Sequence, residues 1–340
     1  MSKITLRQVA QEAGVSLATA SAVLSGKARM RRIAAETAQR VWQVGQQLGY
    51  QMRRPARQNL TQNIGVILRG RVRYYLGNPF YGEIFCGIEQ ELDRRGYNLL
   101  FSSTQENLES SGMPRVLVQG RVDGLILLGQ VPDSYVKQLA DFGAPMVCVH
   151  FDHFPAVTSV VIDGHEECVQ AMRYLASCGH QRILYLASNT GSQHSRDHER
   201  GYLGSLGPGV APQILRADGA DIEDGWAAVT GALPTWKAGD WPFTCLLAEN
   251  DSLAAGAVQA LTAAKVRVQQ DISVMGGQDL DVPIRSAPPL TTTFVDKAYM
   301  GKVAVRHLIE MIESQGNEPL RIVIPTRLVE RASVAVIRGS

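Results

Sequence analysis

Histidine and acidic side chains come together at two places in the sequence where they could bind a metal ion. His150 and His153 flank Asp152, and His194 and His198 are four residues apart, a spacing that shares one face of a helix. Neither group is accompanied by a Cys/His framework, so the sequence predicts no metal and no cofactor. The five cysteines are scattered without a C-x-x-C pair, which is typical of buried thiols in a reducing compartment.

Motifs of the common enzyme classes do not occur in this sequence. It lacks G-x-S-x-G, G-x-x-x-x-G-K-[ST] and G-x-G-x-x-G, the loops of esterases, P-loop proteins and dinucleotide-binding proteins. It also shows no signal peptide and no membrane-spanning segment at its N-terminus. We therefore expect a cytoplasmic protein that is not an enzyme, and not a periplasmic solute-binding protein.

The first 26 residues have the pattern of two short helices joined by a tight turn. Residues 4–26 are ITLRQVAQEAGVSLATASAVLSG, in which Leu6, Val9 and Ala13 recur at helical spacing. Gly14 follows where a helix C-terminus favours a left-handed residue, and Ser16 stands where an N-cap is needed. This pattern predicts a helix-turn-helix, which places its second helix in the DNA major groove. Apolar spacing alone would also fit an ordinary helical hairpin in another core.

Charge is distributed unevenly along the chain. Residues 1–60 contain ten Lys or Arg and two acidic residues, a net charge of +8, within a chain whose total is +2. The other 280 residues carry 24 basic and 30 acidic side chains, a net charge of −6. A basic head on a mildly acidic body is typical of a protein that binds nucleic-acid phosphates.

After about residue 61, short apolar runs alternate with amphipathic segments. Strands are predicted at 64–68, 99–102, 124–128, 146–149, 160–162 and 183–187. Helices are predicted at 34–48, 81–95, 113–119, 135–142, 166–177 and 196–206. This alternation predicts parallel sheets with covering helices, which bind ligands at the carboxyl ends of their strands.

Short motifs throughout the chain occur in a specific order and spacing. The head contains ITLRQVAQEAGVS and ETAQRV followed by LGY, and the body contains NPFYGEIFCGIEQELDRRGYNLL, RVDGLIL, CGHQRILYLA, ENDSLAAGAVQAL, DISVMGG, PPLTT and PTRLVERAS. Together they resemble the lactose-repressor/galactose-repressor (LacI/GalR) family of bacterial transcription regulators over nearly the whole chain. The resemblance implies an all-α helix-turn-helix head joined to an α/β body. That body would have two doubly wound parallel-sheet lobes, like those of periplasmic binding proteins, with a central cleft.

The resemblance also implies the domain boundaries. The DNA-binding head would span 1–52, a hinge 53–62 and the effector-binding body 63–340. Within the body, the N-lobe would comprise about 63–161 and 290–320, and the C-lobe about 162–289 and 321–340.

The second helix would carry the contacts to DNA. The family's base-contacting positions are occupied by Leu17, Ala18 and Ala22, none of which can hydrogen-bond a base edge. Specificity would then depend on thymine methyl groups and on DNA shape. The other predicted contacts of the head come from polar and basic side chains, most of them suited to phosphates: Thr5, Ser16, Thr19, Ser21, Lys27 and Arg29.

The linker departs most from the family pattern. The family has a short hinge helix with an Ala-Arg-x-Leu core, whose Leu wedges a base step in the minor groove. Here 53–66 is RRPARQNLTQNIGV, in which Ala56 and Arg57 match and Leu60 lies one position late. Either Leu60 still intercalates and kinks the operator, or the hinge binds only the DNA backbone, through Arg53, Arg57 and the arginine between them.

A small-molecule effector is the second partner that the resemblance implies. In the family it is often a sugar, a nucleobase or a related metabolite, and it lies between the lobes. The candidate contacts are Arg69, Phe80, Tyr81, His150, Arg196, His198, Asn250 and Gln278. His150, His198 and Gln278 replace the Asp, Arg and Asp that usually grip sugar hydroxyls, which argues against an ordinary sugar. The loop RGRVRYYLGN (69–78) could hold a phosphorylated sugar or could be a solvated basic loop.

These features predict a sequence-specific transcription regulator, a repressor whose affinity for operator double-stranded DNA is controlled by an effector such as a sugar or sugar derivative. We expect a homodimer in the bacterial cytoplasm, associated with the nucleoid and with carbohydrate metabolism as its regulated process. No membrane partner is expected. The alternative is a metabolite-binding protein or enzyme with the same α/β body and a non-functional head.

Overall fold

The computed structural model describes residues 4–24, 31–48, 50, 60–69, 77–104, 113–153, 155–236, 241–281, 288–314 and 318–337. The chain divides into two compact units, Met1–Val161 with Lys297–Ile322, and Ile162–Asp296 with Val323–Ser340. We call residues 4–50 the head, the remainder of the first unit the N-lobe, and the second unit the C-lobe. None of the described helices is long and apolar enough to cross a membrane.

The helices include those predicted from the sequence, and the helices at 222–232 and 297–314 were not predicted. They are α1 (Leu6–Glu12), α2 (Leu17–Leu24), α3 (Ala35–Gln47), α4 (Pro79–Arg94), α5 (Arg115–Val118), α6 (Asp133–Asp141), α7 (Gly164–Ser177), α8 (Gln193–Gly204), α9 (Ile222–Ala232), α10 (Asp251–Ala263) and α11 (Lys297–Ser314). The strands are β1 (Asn63–Arg69), β2 (Asn98–Thr104), β3 (Gly124–Leu128), β4 (Met146–Val149), β5 (Thr158–Ile162), β6 (Ile183–Ser188), β7 (Gln213–Ala217), β8 (Cys245–Ala248), β9 (Ser273–Met275), β10 (Thr292–Val295), β11 (Arg321–Ile324) and β12 (Thr326–Val329).

Local hydrogen bonds form the helix-turn-helix of the head. Thr5 begins α1 with a capping box, in which its side chain and that of Gln8 each accept from the other's backbone N–H. Gly14 adopts φ +63° after α1, and the Ser16 hydroxyl accepts a 3.0 Å bond from the Thr19 N–H at the start of α2. The predicted roles of Gly14 and Ser16 are confirmed.

The N-lobe contains a six-stranded sheet in the order β11-β5-β4-β3-β1-β2. The pairs β1–β2, β1–β3, β3–β4 and β4–β5 are parallel, so these strands end at the same edge of the sheet. Every residue of β3, β4 and β5 is buried, as expected for a parallel sheet covered by helices on both faces. This edge, where the strands end, is the N-lobe carboxyl edge.

The C-lobe contains a four-stranded parallel sheet in the order β7-β6-β8-β9. Its C-lobe carboxyl edge is formed by the residues that follow β6, β8 and β9. An antiparallel pair of β10 and β12 lies in the same lobe.

The boundary between the lobes lies at the predicted position near residue 161, two residues later than predicted at the last crossing, and seven residues later than predicted at the middle one. Residues 290–296 were predicted to belong to the N-lobe, but they lie in the C-lobe unit. The reason is that β10 pairs with β12 and that Met275 of β9 bridges to Thr291. The chain therefore returns to the N-lobe at Lys297, where α11 begins.

Candidate DNA-binding face and effector-binding edges

The start of α2 presents an exposed face on the head. Leu17 is 46% exposed, and Ser16, Ala18 and Ser21 are also exposed, while Thr19 is half-buried. Helix α2 has buried residues on its other face, including Ala20 and Val23, which pack in the head core. Because a helix-turn-helix contacts bases with the first residues of its second helix, this face is the candidate DNA-binding face.

Ala22 is not exposed on this face. It was predicted at a base-contacting position, but it is only 6% exposed. Helical geometry places it one turn after the exposed Ala18, so its burial does not come from the buried face that Ala20 and Val23 share. The predicted contact between Ala22 and a base stays a prediction.

Several predicted DNA contacts fall outside the described residues. These are Lys27, Arg29, Arg53 and Arg57. Leu60, the candidate minor-groove wedge, begins the described part of the body and is 43% exposed. Thr5 is exposed, and its hydroxyl already interacts with Gln8 in the capping box.

An aromatic cluster forms at the N-lobe carboxyl edge. Asn78 caps α4 by accepting bonds from the Phe80 and Tyr81 N–H groups, which fixes those two residues at the first turn. His150 directly follows β4 with φ +67°, an uncommon backbone conformation for a residue with a side chain. Its ring centroid lies 4.3 Å from that of Phe80 and 6.0 Å from that of Tyr81. The structure thus brings three predicted effector contacts together.

Arg69 is the last residue of β1, so its backbone lies at the same edge of the sheet. Its side chain and the rest of the basic loop, 70–76, lie outside the described residues. The predicted phosphate contact of that loop stays a prediction.

A buried carboxylate organises the C-lobe carboxyl edge where β6 and β8 end. Glu249 follows β8 and accepts bonds from the Ser188 N–H (2.8 Å), the Ser188 hydroxyl (3.0 Å) and the Ser195 hydroxyl (2.5 Å). Ser195 also lies 3.0 Å from the Thr190 hydroxyl and 2.8 Å from the Ser192 hydroxyl. The loop after β6 and the start of α8 are therefore tied to the end of β8.

A second buried carboxylate links three other elements. Glu167 of α7 accepts a 2.5 Å bond from the Thr293 hydroxyl of β10 and lies 2.9 Å from Nε2 of His194 on α8. Thr293 in turn accepts a 3.1 Å bond from the Gln278 N–H. This chain of bonds connects α7, α8, β10 and the loop after β9.

The pKa values of His194 and His198, both on α8, are shifted in opposite directions. Burial opposes the charge of both His194 and Glu167, but the hydrogen bond and the opposite charges raise the pKa of His194 and lower that of Glu167. Burial lowers the pKa of His198 to about 4, so this side chain is neutral at pH 7, and its Nδ1 lies 3.0 Å from the Tyr185 hydroxyl. His198 therefore cannot replace a guanidinium by charge.

Two of the other predicted effector contacts in the C-lobe already hydrogen-bond to neighbouring residues. Asn250 caps α10 through the Leu253 N–H and also donates to the Ala220 carbonyl. Arg196 is exposed and donates to Gly191 O and Gln193 Oε1. Gln278 is buried and has φ +79°.

Sequence reasoning missed Glu167, Ser195 and Thr293. Glu167 carries no signal, because an acidic residue in the first turn of a helix is ordinary there.

A metal site is not indicated, since no group of three or more His, Cys, Asp or Glu in the described part of the chain could hold an ion.

Comparison with known proteins gives consistent matches for both parts of the chain. A family model described as bacterial regulatory proteins, lacI family, matches residues 5–52, and a model of a periplasmic binding protein-like domain matches residues 172–334. The HTH-type transcriptional repressor PurR of Pasteurella multocida (strain Pm70) is 30% identical over 340 residues, covering 97% of this chain and 98% of that protein. PurR of Haemophilus influenzae (strain PittEE) is 30% identical over 347 residues, covering 98% of this chain and 99% of that protein.

Solved structures match over the same length. The transcriptional regulator CelR in complex with cellobiose has a TM-score of 0.72 at 26% identity, covering 97% of this chain and all of CelR. The Lac repressor dimer bound to operator and the anti-inducer ONPF has a TM-score of 0.70 at 25% identity, covering 98% of this chain and 100% of that chain. These relatives are regulators, which confirms the prediction of a DNA-binding regulator over an enzyme. The chain belongs to the lacI family of bacterial regulatory proteins.

Proposed function

We propose that this regulator is a repressor that binds operator DNA as a homodimer and changes its operator affinity when a small molecule binds the body. The exposed start of α2 is the observation that supports DNA recognition. The relatives named above as repressors, and the Lac repressor dimer bound to operator, support the mode of action. The site of action would be the bacterial cytoplasm, where the operator lies.

The proposed base contacts are Leu17 and Ala18. Both side chains are apolar and exposed, so they can contact thymine methyl groups but cannot hydrogen-bond a base. Ser16, Thr19 and Ser21 would contact phosphates. DNA shape would supply the remaining specificity.

The proposed effector is neutral and carries hydroxyl or amide groups around a flat or ring-shaped body. The aromatic cluster of Phe80, Tyr81 and His150 suits the face of a ring. Glu249, buried at the C-lobe carboxyl edge, would repel a phosphate there. A nucleobase fits this description, and a sugar such as the cellobiose bound by CelR fits its charge but would lack the Asp, Arg and Asp partners that usually hold sugar hydroxyls.

Two linked experiments test the proposal. A duplex enriched from random sequences by the full-length protein should bind it in a gel shift, with binding weakened by salt. Cellobiose, monosaccharides, nucleobases and phosphorylated sugars are then screened by thermal shift, and each ligand that stabilises the protein is added to the gel shift. We expect a neutral ligand to change operator affinity. Stabilisation by phosphorylated sugars alone would contradict the proposed effector class, and failure to enrich any duplex would contradict operator recognition.

A further inference from the structure

The burial of Trp42 on helix α3 is not explained by the three-helix core of the head alone. Ala38, Val41 and Gly45 share the face of α3 that packs on α1 and α2, where a Cβ at Gly45 would lie 3.5 Å from Cδ2 of Leu24. Trp42 follows Val41, so it lies about 100° further around the helix, at the border of this face. An indole at the border of a small helical core would be partly solvent-exposed, yet Trp42 is only 1% exposed.

The N-lobe completes the burial of Trp42. The ring of Phe142 lies 4.8 Å from that of Trp42, centroid to centroid, and Phe142 is the C-cap of α6. Helix α3 also contacts the short helix α5, whose Leu117 is buried in the same apolar cluster. The head is therefore docked on the N-lobe through one aromatic contact and its apolar surroundings.

The docked contact has one unfavourable component. Nε1 of Trp42 is buried and has no hydrogen-bond partner among the described residues. A buried donor without a partner opposes the gain from apolar burial, because the same N–H would bind water if the head moved away. The unpaired N–H therefore reduces the net gain from docking.

Docking leaves the DNA-binding face open. Leu17, Ala18 and Ser21 stay exposed while Trp42 is covered, because they lie on α2 and Trp42 lies on α3. A head that is held against the N-lobe has already lost part of the translational and rotational freedom that it must lose when it binds DNA.

We propose that the Trp42–Phe142 contact is a conformational device by which the N-lobe holds the head ready for duplex DNA. The proposal rests on DNA binding through α2. It makes Phe142 a positioning residue for a site that it does not touch. Because Phe142 ends α6 and lies shortly before β4, repacking of the N-lobe sheet would change the orientation of the head.

The test compares Phe142→Ala with Tyr299→Ala, which removes a half-exposed aromatic ring from α11 of the same lobe. Acrylamide quenching of tryptophan fluorescence is measured for each full-length protein and for the same protein carrying Trp42→Phe in addition. The difference between the two gives the quenching of Trp42, since the chain has four tryptophans. We expect Phe142→Ala to increase this quenching and to weaken binding of the enriched duplex about three- to tenfold. Tyr299→Ala should change neither quantity.

Each possible result decides the proposal. Unchanged quenching in Phe142→Ala would show that the head is not docked in solution, whether or not DNA binds. Increased quenching with unchanged or tighter DNA binding would show that docking does not prepare the head. If Phe142→Ala fails to fold, as judged by circular dichroism, Phe142→Leu is used and should change both quantities in the same directions by a smaller factor.

Discussion

Replacing Glu167 by glutamine should destabilise the C-lobe by about 2–3 kcal/mol, since a hydrogen bond to a charged partner contributes about 1.5–3 kcal/mol. The carboxylate is fully buried and accepts from the Thr293 hydroxyl at 2.5 Å and from His194 Nε2 at 2.9 Å. Glutamine keeps the volume and one acceptor oxygen, so one bond can persist. The charge-assisted interaction with His194 is lost, and a buried imidazole is left with a neutral partner.

The neighbouring residue provides a matched control. Glu166 has the same chemistry in the same turn of α7, but its side chain is 58% exposed and its partner Arg173, 3.3 Å away, is 72% exposed. Exposed pairs of this kind contribute less than about 1 kcal/mol, so Glu166→Gln should be nearly neutral. Urea unfolding at pH 6, followed by circular dichroism, measures both variants. Equal unfolding midpoints for Glu166→Gln and Glu167→Gln would refute the role given to the buried pair.

The same pair should make the effect of Glu167→Gln depend on pH. The lowered pKa of Glu167 means that its contribution is present above its ordinary value of 4.5 and is lost as pH falls through the folded-state pKa. The raised pKa of His194 means that its contribution is present below its ordinary value of 6.5 and is lost as pH rises through the folded-state pKa. The difference in unfolding free energy between wild type and Glu167→Gln should therefore be largest from pH 4.5 to 6.5. A difference that is largest at pH 9 would contradict this assignment.

Two further substitutions test the head and the packing of the C-lobe. Leu17→Ala should relax preference at one or two base pairs of the enriched duplex, because it removes methyl groups that can contact thymine; an unchanged binding-site profile would contradict that role. Gly276→Ala should destabilise the protein by about 3 kcal/mol in urea unfolding, because its Cβ would lie 1.9 Å from Oδ1 of the buried Asp251. Gly204→Ala, where nothing lies within 4 Å of the new Cβ, is the control, and an equal loss in both would show that the close approach is not the cause.

Local signals in the sequence were sufficient for the helix-turn-helix of the head and for several strands of the N-lobe, whereas the two-lobed architecture came from the family resemblance. Gly14 and Ser16 were identified from the demands of a helix end and a helix start, and both roles are confirmed. The apolar runs at 124–128 and 146–149 became strands with those bounds, because a strand buried on both faces is apolar throughout.

Contacts between residues far apart in the sequence could not be predicted in the same way. Glu167 accepts a hydrogen bond from Thr293, which lies 126 positions later in the sequence, and neither residue type indicates the other. Ala22 illustrates a different limit, since the family position implied exposure whereas the side chain is only 6% exposed. Trp42 packs against Phe142, 100 positions later in the sequence, and neither residue type signals the other.

The salt dependence of DNA binding shows whether the basic head binds duplex phosphates. The affinity of the full-length protein for the enriched duplex is measured at several salt concentrations, beside a variant that lacks residues 1–60, the segment of net charge +8. We expect log affinity to fall steeply and linearly with log salt for the full chain, and we expect the truncated protein not to bind. Binding that is indifferent to salt, or that survives the truncation, would contradict this expectation.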